Sequence, residues 1–394
     1  MTNPLPHRTP DVLAPAELGP LTLRNRIIKA ATFEGCTPDA LVTDELIEYH
    51  RRPAAGGVGM TTVAYCAVAP EGRTERGQIW MRPEAIPGLR RLTDAVHAEG
   101  AAVSAQIGHA GPVADAKSTG LPALAPGRLF NPLSMRMTRP ATPHDIDRVT
   151  RAHAEAARIA VESGFDAVEI HFGHNYLASS FLSPKINRRK DEYGGSLDHR
   201  ARVARGIARA VRDEVGDRIA ITAKLNMEDG VRGGFGIEES IQVARRLQDD
   251  GSVDALQLTA GSSLLNPMYL FRGDAPVKEF AAQFPQPQRL GIRLAGKQVL
   301  RAYPYREAYL LESAQRFRAA LDLPLILLGG ITHRETMDRA MAEGFQFVAM
   351  ARALLREPDL IARITAARDT TSQCTHCNLC MPTIYTGTHC PLVP

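Results

Sequence analysis

The sequence predicts an α/β fold, a (β/α)8 TIM barrel, and two observations carry the prediction. Eight apolar or small-residue runs of strand length recur along the 394 residues, and eight amphipathic stretches of helix length alternate with them. Several runs are unbroken, as strands buried on both faces of a parallel sheet should be. An open, doubly wound sheet is the alternative for such alternation, but eight units fit closure better.

In chain order the strand runs are RNRIIKAAT (24–32), VGMTTVAYCAV (58–68), AAVSAQIG (101–108), DAVEIHFG (166–173), RIAITAKLN (218–226), DALQLTAG (254–261), PLILLGG (324–330) and FQFVAMAR (345–352). The helical stretches fall at 44–52, 85–100, 144–164, 199–216, 237–250, 306–321, 334–344 and 358–368, several ending in a glycine suited to a C-cap. Two segments, 112–143 and 262–305, follow the third and sixth runs and are too long for simple βα loops. Both leave strand C-ends, the active-site face of such a barrel, so they read as substrate-shaping lids. The expected organisation is a barrel over 1–367 and a Cys-rich tail over 368–394.

Composition narrows the class. Formal charge is +4, but the basic residues are scattered through amphipathic stretches, so neither nucleic acid nor a membrane surface is an expected partner. No segment reaches 18 consecutive apolar residues, and the N-terminal MTNPLPHRTPDVLAP lacks the apolar stretch of a secretory leader. Six cysteines in a chain this long are no disulfide framework, so a reducing cytoplasm is the expected location.

Chemistry gathers at the strand ends. EIHFGHNY places His171 and His174 three residues apart behind an apolar run, with Tyr176 two residues on. Taken alone, the pair suits a metal site, packed core histidines, or a clamp for a substrate oxygen. Gln106 and Lys224 each interrupt an apolar run, where an unpartnered polar group is costly. An amide and a fixed cation aimed into a barrel mouth suit a polar planar ring that gains negative charge, such as a reduced flavin. Gly329 and Gly330 close the seventh run and Arg352 opens the helix after the eighth, a pairing that suits a phosphate.

LRNRI, PEGR (70–73), QIGHAG, IHFGHNYLASSFLSPKINRRKDEYGGS, LLGGI and Arg352 occur in this order over residues 15–365. Together they resemble the Old Yellow Enzyme family of FMN-dependent NAD(P)H:ene reductases. The resemblance implies FMN as cofactor, NAD(P)H as co-substrate and an activated alkene as acceptor, reduced in a ping-pong cycle. It implies that His171 and His174 bind the acceptor's oxygen and that Tyr176 donates the proton. Ala31, Thr32, Tyr65, Gln106, Lys224, Gly329, Gly330, Ala351 and Arg352 are the implied cofactor-binding residues, and a homo-oligomer is among the implied assemblies. Two departures stand out. Phe33 falls where relatives place Thr or Cys beside the flavin O4, which is expected to lower the flavin potential unless Thr32 turns in. Asn175 falls where the family more usually has Gly.

The tail, CTHCNLCMPTIYTGTHC, spaces Cys374, Cys377, Cys380 and Cys390 like metal ligands. It resembles the cluster-binding segment of the 2,4-dienoyl-CoA reductase and trimethylamine dehydrogenase branch, with one residue fewer between the second and third Cys. A [4Fe–4S] cluster, a structural zinc and free thiols all stay open. No GxGxxG follows a strand and opens a helix, so no separate Rossmann domain is expected within these residues, and the nicotinamide is expected to stack on the flavin. A phosphate-binding barrel lyase or isomerase is the remote alternative.

Overall fold

A computed structural model of the chain describes residues 9–132 and 134–393. Residues 1–8, the start of the segment expected to carry no leader, and Leu133 of the first lid lie outside the described residues. Each of the eight strand runs becomes one barrel strand: β1 (Ile27–Lys29), β2 (Met60–Ala67), β3 (Ala102–Gly108), β4 (Ala167–Phe172), β5 (Ala220–Asn226), β6 (Ala255–Thr259), β7 (Leu325–Leu328) and β8 (Phe347–Met350). They pair in parallel, in chain order, and β8 closes on β1. The eight helices also form: α1 (Asp44–Ala55), α2 (Ile86–Ala98), α3 (Pro143–Glu162), α4 (Leu197–Val215), α5 (Ile237–Asp249), α6 (Leu311–Arg318), α7 (Arg334–Ala342) and α8 (Leu360–Ala366).

The local causes are visible in α3. Thr142 caps its first turn in a reciprocal box with Asp145, and Pro143 sits at the first position, where its missing N–H costs nothing. Ile146, Val149, His153, Ala156, Ala157 and Ala160 recur at helical spacing and are buried. A hairpin of Ala16–Leu18 and Leu21–Leu23 plugs the N-terminal end of the barrel, where Leu18 and Leu23 pack with Ile28, Met60, Ala220, Ile326 and Phe347. That end is apolar. The polar interior side chains lie toward the strand C-ends.

Both lids carry structure of their own. The first holds two short ladders, Leu124–Ala125 with Arg139–Pro140 and Phe130–Asn131 with Arg136–Met137. The second holds helices Met268–Phe271, Val277–Ala282 and Gln288–Val299. The tail is built onto the rim. Thr388 bonds the carbonyls of Phe33 and Glu34 after β1, His376 stacks on Tyr305 with ring centroids 3.4 Å apart, and Asp274 N donates to the His376 carbonyl. Among the described residues no helix is long and apolar enough to cross a membrane.

Candidate active site

Register brings the site together. β4 sets Glu169 beside Gln106 of β3 and His171 beside Lys224 of β5. One Glu169 oxygen then accepts from Gln106 Nε2 at 2.6 Å and pairs with Lys224 Nζ at 2.9 Å. Both ionic side chains are only 4% exposed, so Lys224 enters the barrel with its counter-charge attached. Glu169 has no place in the sequence reading above. It lies inside the best-recognised segment, but no spacing betrays a partner 55 residues on.

The β4–helix turn gathers the His171, His174 and Tyr176 rings. His174 and Asn175 both take left-handed backbone, φ 59° and 58°, before Tyr176 opens the short helix Leu177–Leu182. Asn tolerates that region better than most residues, and Gly freely, so the family's Gly and this chain's Asn meet one backbone demand. The Asn175 side chain is tied elsewhere: its Nδ2 donates to Asp229 at 3.0 Å. Asn175→Gly is therefore expected to leave turnover within about threefold and change stability by about 1 kcal/mol or less, the lost bond offsetting the relieved strain. Steady-state assay and urea unfolding check it.

His171 and His174 meet edge to face with centroids 5.1 Å apart, and His171 meets Tyr176 at 4.4 Å. Tyr65 flanks Tyr176 at 5.4 Å, its hydroxyl tied to the Gly72 carbonyl. His174 is fixed from two strands: its N–H donates to Asn226 Oδ1 at 3.1 Å, and its Nε2 meets Thr259 Oγ1 at 2.9 Å. That partner is a hydroxyl, and among the described residues no three His, Cys, Asp or Glu gather to hold one ion. His171 Nδ1 is buried without a hydrogen-bond partner.

Burial, then the neighbouring His174 and Lys224 charges, holds His171 well below its ordinary pKa. Burial and Lys224 lower His174 to about 3. Burial raises the Tyr176 phenol, which stays protonated. The wall is therefore a set of neutral donors. Stability follows from the same shifts. Below about pH 6.5 an unfolded histidine binds a proton that these folded ones refuse, so stability is full well above pH 6.5 and is lost progressively as pH falls toward about 3. His153, lowered by burial to about 4, adds to the same slope. Urea midpoints measured from pH 8 to 5 are expected to fall with acid, and less steeply in His153→Gln.

The remaining predicted residues fall into two places. Ala31 packs with Ala64, Tyr65 and Tyr176. Thr32 Oγ1 donates to the Ala30 carbonyl at 3.1 Å, so of the two alternatives for this hydroxyl it is bonded to the local backbone. At the other end Gly329 and Gly330 take φ 105° and 74° against the Tyr309 ring, and a Cβ at Gly330 would lie 2.7 Å from it. Ala351 precedes the one-turn helix Arg352–Arg356. Arg352 reaches the Arg272 carbonyl at 2.9 Å and the Asn378 side chain of the tail. The four tail cysteines line one cavity with Arg352 and Arg356.

The donors fit a flavin mononucleotide. Gln106 and Lys224 give an amide and a cation in the barrel, the His171 Nδ1 lacks a partner, and Gly329, Gly330 and Arg352 lie at the ends of β7 and β8.

A family model described as the NADH:flavin oxidoreductase / NADH oxidase family matches residues 11–262. A 4,4'-dithiodibutanoate disulfide reductase of Rhodococcus erythropolis is 52% identical over 97% of this chain and 95% of its own. A metal reductase of Desulforamulus reducens is 33% identical over 89% of this chain, which spans about half (48%) of that protein's length. Among solved structures, a 2-naphthoyl-CoA reductase complexed with 2-naphthoyl-CoA superposes with a TM-score of 0.82 at 26% identity, over 96% of this chain and 56% of that one. An old yellow enzyme homologue from Zymomonas mobilis shares the fold, with a TM-score of 0.75 at 22% identity over 97% and 98% of the two chains.

Proposed function

The chain belongs to the NADH:flavin oxidoreductase / NADH oxidase family, as an Old Yellow Enzyme-type flavin oxidoreductase, and from that premise we propose that it reduces small electron-poor acceptors with NAD(P)H. FMN, when bound, supplies the two-electron hydride chemistry. Gln106 and Lys224 would hold its ring, and Gly329, Gly330 and Arg352 its phosphate. The observation that carries the reading is the neutral donor wall of His171, His174 and Tyr176 at the end of β4.

With an enone as acceptor, the two imidazoles hold the carbonyl oxygen. They stabilise the negative charge that grows there as the β-carbon receives hydride, without first losing protons of their own. Tyr176 gives the α-carbon its proton. The tie from His174 to Thr259 fixes one imidazole before the acceptor arrives.

A second reading is favoured by the Rhodococcus relative: the acceptor is an organic disulfide carrying carboxylates. One NAD(P)H, one proton and one disulfide then give NAD(P)+ and two thiols. The S–S bond breaks as hydride reaches one sulfur, and the departing thiolate is protonated. Both readings predict a yellow protein. Anaerobic NAD(P)H titration should bleach it, and a panel of enones, maleimides and dicarboxylate disulfides should restore colour at rates that choose between them. A colourless protein that binds no FMN would sink both and leave the lyase or isomerase alternative.

The tail cysteines favour a [4Fe–4S] cluster, which would supply one-electron transfer. All four line one cavity. Burial raises Cys374 and pushes Cys380 up to about 11, so the bare thiols are poor nucleophiles. Iron and acid-labile sulfide on anaerobically purified protein, four of each per chain, are the expected result.

A further inference from the structure

Arg272 lies on the second lid, between helices Met268–Phe271 and Val277–Ala282. Its guanidinium sits over three tyrosine rings, 4.6 Å from Tyr269, 5.3 Å from Tyr303 and 5.7 Å from Tyr309. Such a cage fixes a long side chain that would otherwise sample many rotamers. It does nothing to neutralise the charge. Among the described residues no carboxylate pairs with Arg272; Glu228, the acid at the cage, accepts instead from the Tyr269 hydroxyl at 2.8 Å. Arg272 Nε is buried and lacks a hydrogen-bond partner, an unfavourable state unless something accepts from it.

Position adds direction. Arg352 donates to the Arg272 carbonyl at 2.9 Å, and the Tyr309 ring that underlies Arg272 also packs on Gly329 and Gly330. Arg272 therefore belongs to the β7–β8 end of the barrel mouth. Arg352, the arginine the sequence marks there, already meets Asn378. Arg272 meets the Tyr269 hydroxyl of its cage, and its Nε still lacks an acceptor.

We propose that Arg272 is an anion-binding residue that takes an oxyanion of a bound small molecule. Two sources share that chemistry: the phosphate of FMN, in which case the inference rests on the reading above, or a carboxylate of the acceptor. The cage orients a planar two-donor fork, the geometry that phosphate and carboxylate oxygens match.

The test compares the full-length wild type with Arg272→Gln and Arg272→Lys. Affinities for FMN and riboflavin are measured by fluorescence quenching. KM and kcat are measured for 4,4'-dithiodibutanoate and for its dimethyl ester. If FMN is the source, Arg272→Gln raises the FMN Kd tenfold or more and leaves riboflavin unmoved. If the acceptor is the source, it raises KM for the dicarboxylate tenfold or more and leaves the ester and kcat unmoved. Arg272→Lys recovers part of either loss. Unchanged ratios in both arms overturn the assignment. If the wild type binds no flavin, the preceding reading fails on its own, and calorimetry with inorganic phosphate decides this one. Binding weakened by Arg272→Gln supports it, and equal or absent binding overturns it.

Discussion

Tyr176→Phe is expected to slow reoxidation of the reduced enzyme by an enone about 10²–10⁴-fold, the usual scale for losing a positioned proton donor. Its reduction by NAD(P)H should stay within a few fold, because that half-reaction asks no proton of the phenol. The substitution keeps the ring, and with it the edge contacts to His171 at 4.4 Å and Tyr65 at 5.4 Å, so the wall should stand. What leaves is an O–H that burial holds protonated well into alkaline pH. With a disulfide acceptor the same variant should lose little, since a departing thiolate picks up its proton from water readily. Anaerobic stopped-flow of the two half-reactions, with one enone and one dicarboxylate disulfide, separates these cases. An unchanged enone rate would remove Tyr176 from the chemistry and leave it a wall residue.

The barrel was legible because its strands are buried on both faces. All eight residues of β2 and all seven of β5 are buried, so their apolar runs carry no helical stripe to confuse them. The His171, His174 and Tyr176 cluster was legible because the three lie within six residues, and local spacing survives in a linear sequence. What went unread depends on register or on loop packing. Glu169 gains meaning only when β3 and β5 align beside β4. Thr259 meets His174 across 85 residues. Arg272 looks like any lid arginine until Tyr269, Tyr303 and Tyr309 close around it. The short lid helices were invisible for a related reason: four to six residues are too few to show a period. Asn175 was read as a departure near the acid. The backbone angle explains it, and its side chain serves Asp229 instead.

Glu169→Leu is expected to cost about 3–5 kcal/mol, a large share of a typical domain's stability. The carboxylate is the shared partner of Gln106 and Lys224, and its loss leaves a buried ammonium and a buried amide uncompensated in a barrel interior. The cost lies in the stranded charge more than in any worth of the pair. Lys224→Met in the same chain should therefore restore most of the stability, and the two changes should couple by several kcal/mol in a double-mutant cycle. Urea unfolding of flavin-free protein is the right measurement, because bound cofactor would add its own stabilisation. The double variant also separates fold from function. It should regain a cooperative unfolding transition and still bind FMN poorly, having lost the cation that would hold the ring. If it folds well and binds FMN as the wild type does, Lys224 belongs to the structure and not to the flavin. If Glu169→Leu costs nothing, the pair is solvated in a way its 4% exposure denies.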